Sequence, residues 1–123
     1  MKFSVFLGAV LAITSAEACA SYKYCWCVRD NFNYQGKVQN NIAWDEDTTK
    51  ACVANGGGGV SGWYGQNFKE CYRYVKRTIR LDGAINNCDF SEQCAAAGKA
   101  EGVTSRGLCR DKISGFHWRR TDV

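Results

Sequence analysis

Eight cysteines in a chain of 123 residues, preceded by a short apolar leader, constrain this sequence more than any other feature. Met1-Lys2 give a positive start, Phe3 to Ile13 form an apolar run, and small residues follow at Ala16, Ala18 and Ala20. That order is the pattern of a secretory signal peptide, and the run is shorter than the ~20 apolar residues a spanning helix needs. Cysteines delivered to an oxidising compartment close into disulfides, which stabilise a domain too small to bury a large core. Cleavage after Ala18 makes 1-18 the signal peptide and 19-123 a single disulfide-rich domain. Cys19, Cys25, Cys27, Cys52, Cys71, Cys88, Cys94 and Cys109 then all remain as disulfide partners. Cleavage after Ala20 fits the same small-x-small rule but leaves an odd thiol, so the first reading is preferred. A secreted, extracellular protein without a membrane span is expected.

Spacing alone does not choose among the roughly one hundred pairings that eight cysteines allow. It does disfavour a metal: no C-x2-C pair occurs, and the sole histidine, His117, lies far down the chain. No metal or cofactor is expected. Sixteen basic against 12 acidic side chains give a net charge of +4, and losing Lys2 and Glu17 leaves it unchanged. The charge is spread along the chain, which suits solubility better than a polyanionic partner; nucleic acid is disfavoured.

Tyr22 to Val28 is rich in aromatic and β-branched residues and reads as a strand, with Cys25 and Cys27 on one side reaching different partners. Asn31 to Asn41 reads as loop. Asp45-Glu46-Asp47 opens a helix with Thr48, Ala51, Cys52 and Asn55 on one face and a stop at Gly56; a cap at Asn40 or Asn41 is the alternative start. The four glycines from Gly56 leave a helix rather than lead into one, so they read as a turn and not as a phosphate cradle. Phe68 to Leu81 has no breaker; a helical face and strand-forming residues compete there, and strand is preferred over Cys71–Leu81. Asn87 caps a second helix carrying Phe90, Cys94 and Ala97 and ending at Gly98, and Ile113 to Trp118 reads as a closing strand. The sum is an α+β fold: a small antiparallel sheet of three to four strands covered by two helices and stapled by disulfides.

Tyr72, Arg73, Tyr74, Lys76 and Arg77 form the candidate binding residues, an aromatic and basic tract whose alternation as a strand divides it between two faces. Trp63 and Tyr64 read as packing residues in preference to a sugar-stacking platform. No catalytic residue is expected. A ribonuclease requires an acid, a base and a cation around a phosphate; His117 with Glu46, Glu70, Glu92 or Glu101, plus Arg73 or Arg77, supplies the types but no spacing that unites them.

Tyr24-Cys25-Trp26-Cys27, Thr49-Lys50-Ala51-Cys52, Gly58-Gly59, Cys71, Leu81-Asp82-Gly83, Cys94 and Gly102-Val103-Thr104-Ser105-Arg106-Gly107-Leu108-Cys109-Arg110 occur in that order over most of the mature chain. The series resembles the small cysteine-rich secreted proteins of filamentous ascomycete fungi, although many relatives carry a doubled cysteine where Ala51-Cys52 stands. The resemblance implies a killer-toxin-like αβ sandwich and an effector that acts in plant infection by protein binding, in some cases recognised as an avirulence protein. The expected partner is a host protein, a second copy or a co-secreted effector, and passage into host cells is left open. A secreted antimicrobial or killer-type toxin is the second reading, and a secreted ribonuclease the third.

Overall fold

The computed structural model describes residues 19–55, 59–73, 75–77, 80–82 and 84–113. The expected signal peptide, Gly56 to Gly58, Tyr74, Thr78, Ile79, Gly83 and all residues from 114 on, His117 included, lie outside the described residues. The elements are β1 (Ser21–Asp30), β2 (Phe32–Tyr34), β3 (Lys37–Gln39), β4 (Ile42–Ala43), α1 (Asp45–Ala54), β5 (Val60–Gly62), β6 (Glu70–Tyr72), β7 (Val75–Arg77), β8 (Arg80–Asp82), β9 (Ile85–Asn86), α2 (Asn87–Lys99) and β10 (Thr104–Lys112).

The sheet is organised around β1. β10 runs antiparallel along one side of it, from Tyr22 opposite Lys112 to Asp30 opposite Thr104. Along the other side β9, β6 and β4 dock in turn, against Ser21–Tyr22, Tyr24–Cys25 and Val28–Arg29. β5 extends the sheet beyond β6. The fold is therefore α+β and antiparallel as expected, but the sheet has six strands rather than three to four. β4 and β9 are two residues long, too short for alternation to register in the sequence.

Two further strand pairs stand apart from this sheet. Phe32–Tyr34 and Lys37–Gln39 form a hairpin where a loop was expected, turned by Gln35 and Gly36 at φ 54° and 90°. The Phe68–Leu81 tract is not one strand. β6 lies inside the main sheet between β1 and β5, while β7 and β8 pair with each other. No Gly, Pro, Asn or Asp marks the reversal between Arg77 and Arg80, which is why the sequence concealed it. A strand that was not expected, β10 at Thr104–Lys112, completes the described sheet, with the Ile113 N–H donating to the Ser21 carbonyl at 2.8 Å; the expected closing strand falls, beyond Ile113, outside the described residues. The Ser, Gly and charged residues of β10 have weak strand preference, and pairing along nearly all of β1 overrides that.

Helix α1 starts at Asp45 behind Trp44, not at Asn40 or Asn41, and its three acids occupy the first turn. The expected face is buried: Thr48, Ala51, Cys52 and the C-cap Asn55. Thr48 joins helix to sheet, its hydroxyl accepting from the Cys27 N–H at 2.9 Å. Helix α2 is capped by Asn86, one residue before the expected Asn87, through a bond from the Asp89 N–H at 3.0 Å. Asn87 instead accepts from the Ala20 N–H at 2.7 Å, holding the start of the described chain. Gln93 of α2 accepts from Asn55 at 2.7 Å and donates to the Ala54 carbonyl, joining the two helices.

Between helices and sheet lies a core built largely of sulfur: Cys25, Cys27, Cys52, Cys71 and Cys94 with Ala51, Ile85 and Phe90. All cysteines are paired, as Cys19–Cys88, Cys25–Cys109, Cys27–Cys94 and Cys52–Cys71. Three of these close spans of 69, 84 and 67 residues and tie the β1 end of the chain to α2 and β10. On a chain-entropy estimate such spans stabilise by roughly 3–5 kcal/mol each.

Gly98 does not end α2, as expected, but lets it touch β10. A Cβ there would lie 2.7 Å from the Ser105 Cβ and 2.9 Å from the Val103 carbonyl oxygen. Helix propensity favours Gly98→Ala by about 1 kcal/mol, yet the clash is with the Val103 backbone carbonyl and the Ser105 Cβ, not with the far end of a flexible side chain, so helix or strand must shift. We expect a net loss of about 1–3 kcal/mol, measured by urea unfolding. An unchanged or raised midpoint would contradict this packing.

Candidate functional site

Alternation along β1 turns Cys25, Cys27 and Arg29 toward the helices and Tyr24 and Trp26 to the opposite face. Beside these, β10 presents Arg110 and Leu108, and β6 presents Tyr72. The rings of Tyr24, Tyr64 and Tyr72 lie 4.9 to 5.6 Å apart. The Arg110 guanidinium sits 4.0 Å from the Tyr24 ring centre, a cation–π distance. It also forks onto Glu70 at 2.6 and 2.9 Å and donates to the Tyr64 carbonyl at 2.7 Å. The Glu70 bond, working against burial, raises the Arg110 pKa above its ordinary value. Glu70 is fully buried in this pair. Removing either partner would leave a charge uncompensated, so Glu70 is a structural group and not an accessible acid or base.

A second charge cluster lies under α1. Arg29 forks onto Asp47 with two 2.9 Å bonds, and its Nη2 also donates to Glu101 at 2.9 Å. The Asp47 bond, opposed by burial, raises the Arg29 pKa. Phe32 and Trp44 take the same guanidinium on their rings at 5.0 and 4.5 Å. Glu101 additionally meets Lys50 at 3.7 Å, so it too is held in a structural cluster.

An open cleft of about 720 Å³ lies between the start of α1 and the segment 63–69. Tyr34, Trp44, Trp63 and Phe68 supply aromatic lining, and Asp45, Glu46, Lys50 and Lys69 supply charge. Trp44 is held edge-on against Phe32 and Tyr34, and Phe68 packs on Trp26 with ring centres 5.2 Å apart. The Lys69 N–H donates to Asp45 Oδ1 at 2.9 Å, fastening the segment to the helix. Trp63 is 59% exposed, which corrects the expectation that it packs inside. Tyr64 does pack, in the tyrosine cluster.

Of the candidate binding tract, Tyr72 joins the tyrosine cluster, while Arg73 turns toward α1 and donates to the Asn55 side chain at 3.0 Å. The alternation read from the sequence holds for this pair. Tyr74 is outside the described residues; Lys76 and Arg77 lie on β7, away from the main sheet, with their side chains outside the description. The cleft is not part of that tract. Its available signal was the cluster of aromatics on either side of the glycine run, Trp44 before it and Trp63 and Phe68 after it. Among the described residues no group of three or more His, Cys, Asp or Glu side chains is placed to hold a metal ion. Comparison of the chain with protein-family models, curated proteins and solved structures finds no match.

At the far end of β1, Asp30 accepts from Arg106 of β10 and from the Asn41 N–H. The Arg106 bond is the main cause holding the Asp30 carboxyl below its usual pKa, with burial opposing it. A depressed carboxyl contributes stability that is present above its unfolded pKa of about 3.9 and lost as pH falls through the lower folded value. Solvent reaches the pair, so the contribution is below about 1 kcal/mol. Asp30→Asn should therefore destabilise at pH 7, with the deficit shrinking as the pH is lowered below that of the unfolded carboxyl. Urea unfolding across this range checks it; a deficit that grew on acidification would contradict the pairing.

Proposed function

We propose that this chain is a secreted fungal effector that acts during plant infection by binding another protein, without turnover of its own. The ordered motifs shared with small cysteine-rich fungal proteins supply the setting. Four disulfides suit an oxidising, extracellular environment, and no helix among the described residues is long and apolar enough to cross a membrane.

The observation that carries the binding half is the outer face of the sheet. Tyr24, Trp26, Tyr72 and Leu108 are half-buried there, beside Arg106 and Arg110. Tyr, Trp and Arg are the residue types that concentrate binding energy at protein interfaces. β1 and β10 are cross-linked by Cys25–Cys109 and β6 is tied to α1 by Cys52–Cys71, so little ordering remains to be done on association. The partner is a host protein, a second copy or a co-secreted effector.

Arg73 is unsuitable for testing this face, since it secures Asn55. Leu108→Asp with Lys112→Glu alters the face and its exposed end without touching a disulfide or a described ion pair. In the producing fungus this double variant should be secreted normally yet reduce infection as far as gene deletion does. Full virulence of the deletion strain would overturn the effector reading. RNA cleavage by the purified protein, lost in His117→Ala, would overturn the binding-only reading.

A further inference from the structure

We propose that the cleft between α1 and the segment 63–69 is a binding site for a neutral oligosaccharide, with the Trp63 ring as its stacking platform. Trp63 leaves most of its surface in water, 59% exposed, beside a cavity of about 720 Å³, within the size range of small-molecule sites. A sugar ring presents a face of C–H bonds whose slight positive charge suits the negative face of an aromatic ring. Its hydroxyls both donate and accept, and the cleft offers both functions: carboxylates at Asp45 and Glu46, ammonium groups at Lys50 and Lys69.

Charge decides the ligand class. Two acids and two lysines leave the lining without net charge, so an anionic chain loses at Asp45 and Glu46 what it gains at the lysines. The same balance works against a polycation. A peptide adding as a strand has little purchase: of the sheet's edge strands only β4 reaches the lining, through Ala43, and it is two residues long. The walls are also set in advance. Trp44 is wedged by Phe32, Tyr34 and Arg29, and Asp45 holds the Lys69 backbone. This site adjoins the outer face of the sheet, where Phe68 packs on Trp26, but its proposal does not depend on the protein-binding reading.

The test is titration of the mature, oxidised protein with cellohexaose, laminarihexaose and chitohexaose, read by tryptophan fluorescence and calorimetry. Oligogalacturonate and the chitosan hexamer serve as charged controls. At least one neutral sugar should bind with a dissociation constant of about 1 mM or tighter and shift the tryptophan emission, with charged controls weaker. Trp63→Ala should weaken binding at least about tenfold, and Trp63→Phe should retain most of it. Thermal unfolding of both variants should match the parent, since the Trp63 ring is largely in water. Three results would each overturn the proposal: no neutral sugar bound, binding unchanged in Trp63→Ala, or self-association abolished by that variant in place of sugar binding.

Discussion

Two half-cystines on one strand, separated only by Trp26, are the constraint on which the rest of the structure depends. Because side chains alternate, Cys25 and Cys27 face the same way, and their partners come from different elements. Cys25 fixes the register of β10, being directly opposite Cys109 in the ladder. Cys27 draws α2 onto the sheet through Cys94. With those two elements placed, Gly98 and Gly107 permit the close contact between helix and strand. Cys52–Cys71 then attaches α1 to β6 on the other flank. A chain of this size buries too little apolar surface to fix such an arrangement by packing alone, and sulfur fills much of the space where aliphatic side chains would otherwise stand.

That frame allows polar chemistry that a looser small domain would not sustain. Arg29–Asp47 and Arg110–Glu70 are both forked pairs with one fully buried carboxylate. Desolvating such charges is costly unless geometry is held closely; the pairs join β1 to α1 and β10 to β6, elements connected through the β1–β6 pairing together with the Cys25–Cys109 and Cys52–Cys71 bridges. Each arginine also lies on an aromatic ring. The pairs thus connect the hidden framework to the aromatic surface: one supports the outer face of the sheet, the other the Trp44 wall of the cleft. Both proposed binding regions are therefore prepared before any partner arrives.

The sequence made the framework legible because the cysteine count and the β1 pattern are strong, local signals. The faces of both helices were also readable from residues such as Cys52, Phe90 and Cys94. What it concealed depends on contacts distant in the chain. β4 and β9 exist only because β1 offers them a side, and β10 is a strand despite its composition because β1 lies along it. The Phe68–Leu81 tract contains strand formers throughout, and only tertiary pairing reveals that it divides between two sheets. The cleft joins Tyr34 and Trp44 to Trp63 and Phe68, which lie on opposite sides of the glycine run in the sequence, a juxtaposition no spacing rule supplies. Glu70 and Glu101 looked like available acids until their arginine partners, 40 and 72 residues away, were placed.

The pairing at β1 tests this account most directly. The oxidised protein, digested without reduction and cleaved at Trp26 so that Cys25 and Cys27 part, should yield Cys25 linked to Cys109 and Cys27 linked to Cys94 in the peptide masses. Exchange of those partners, with Cys25 joined to Cys94 and Cys27 to Cys109, would contradict the register from which the sheet and both proposed surfaces follow.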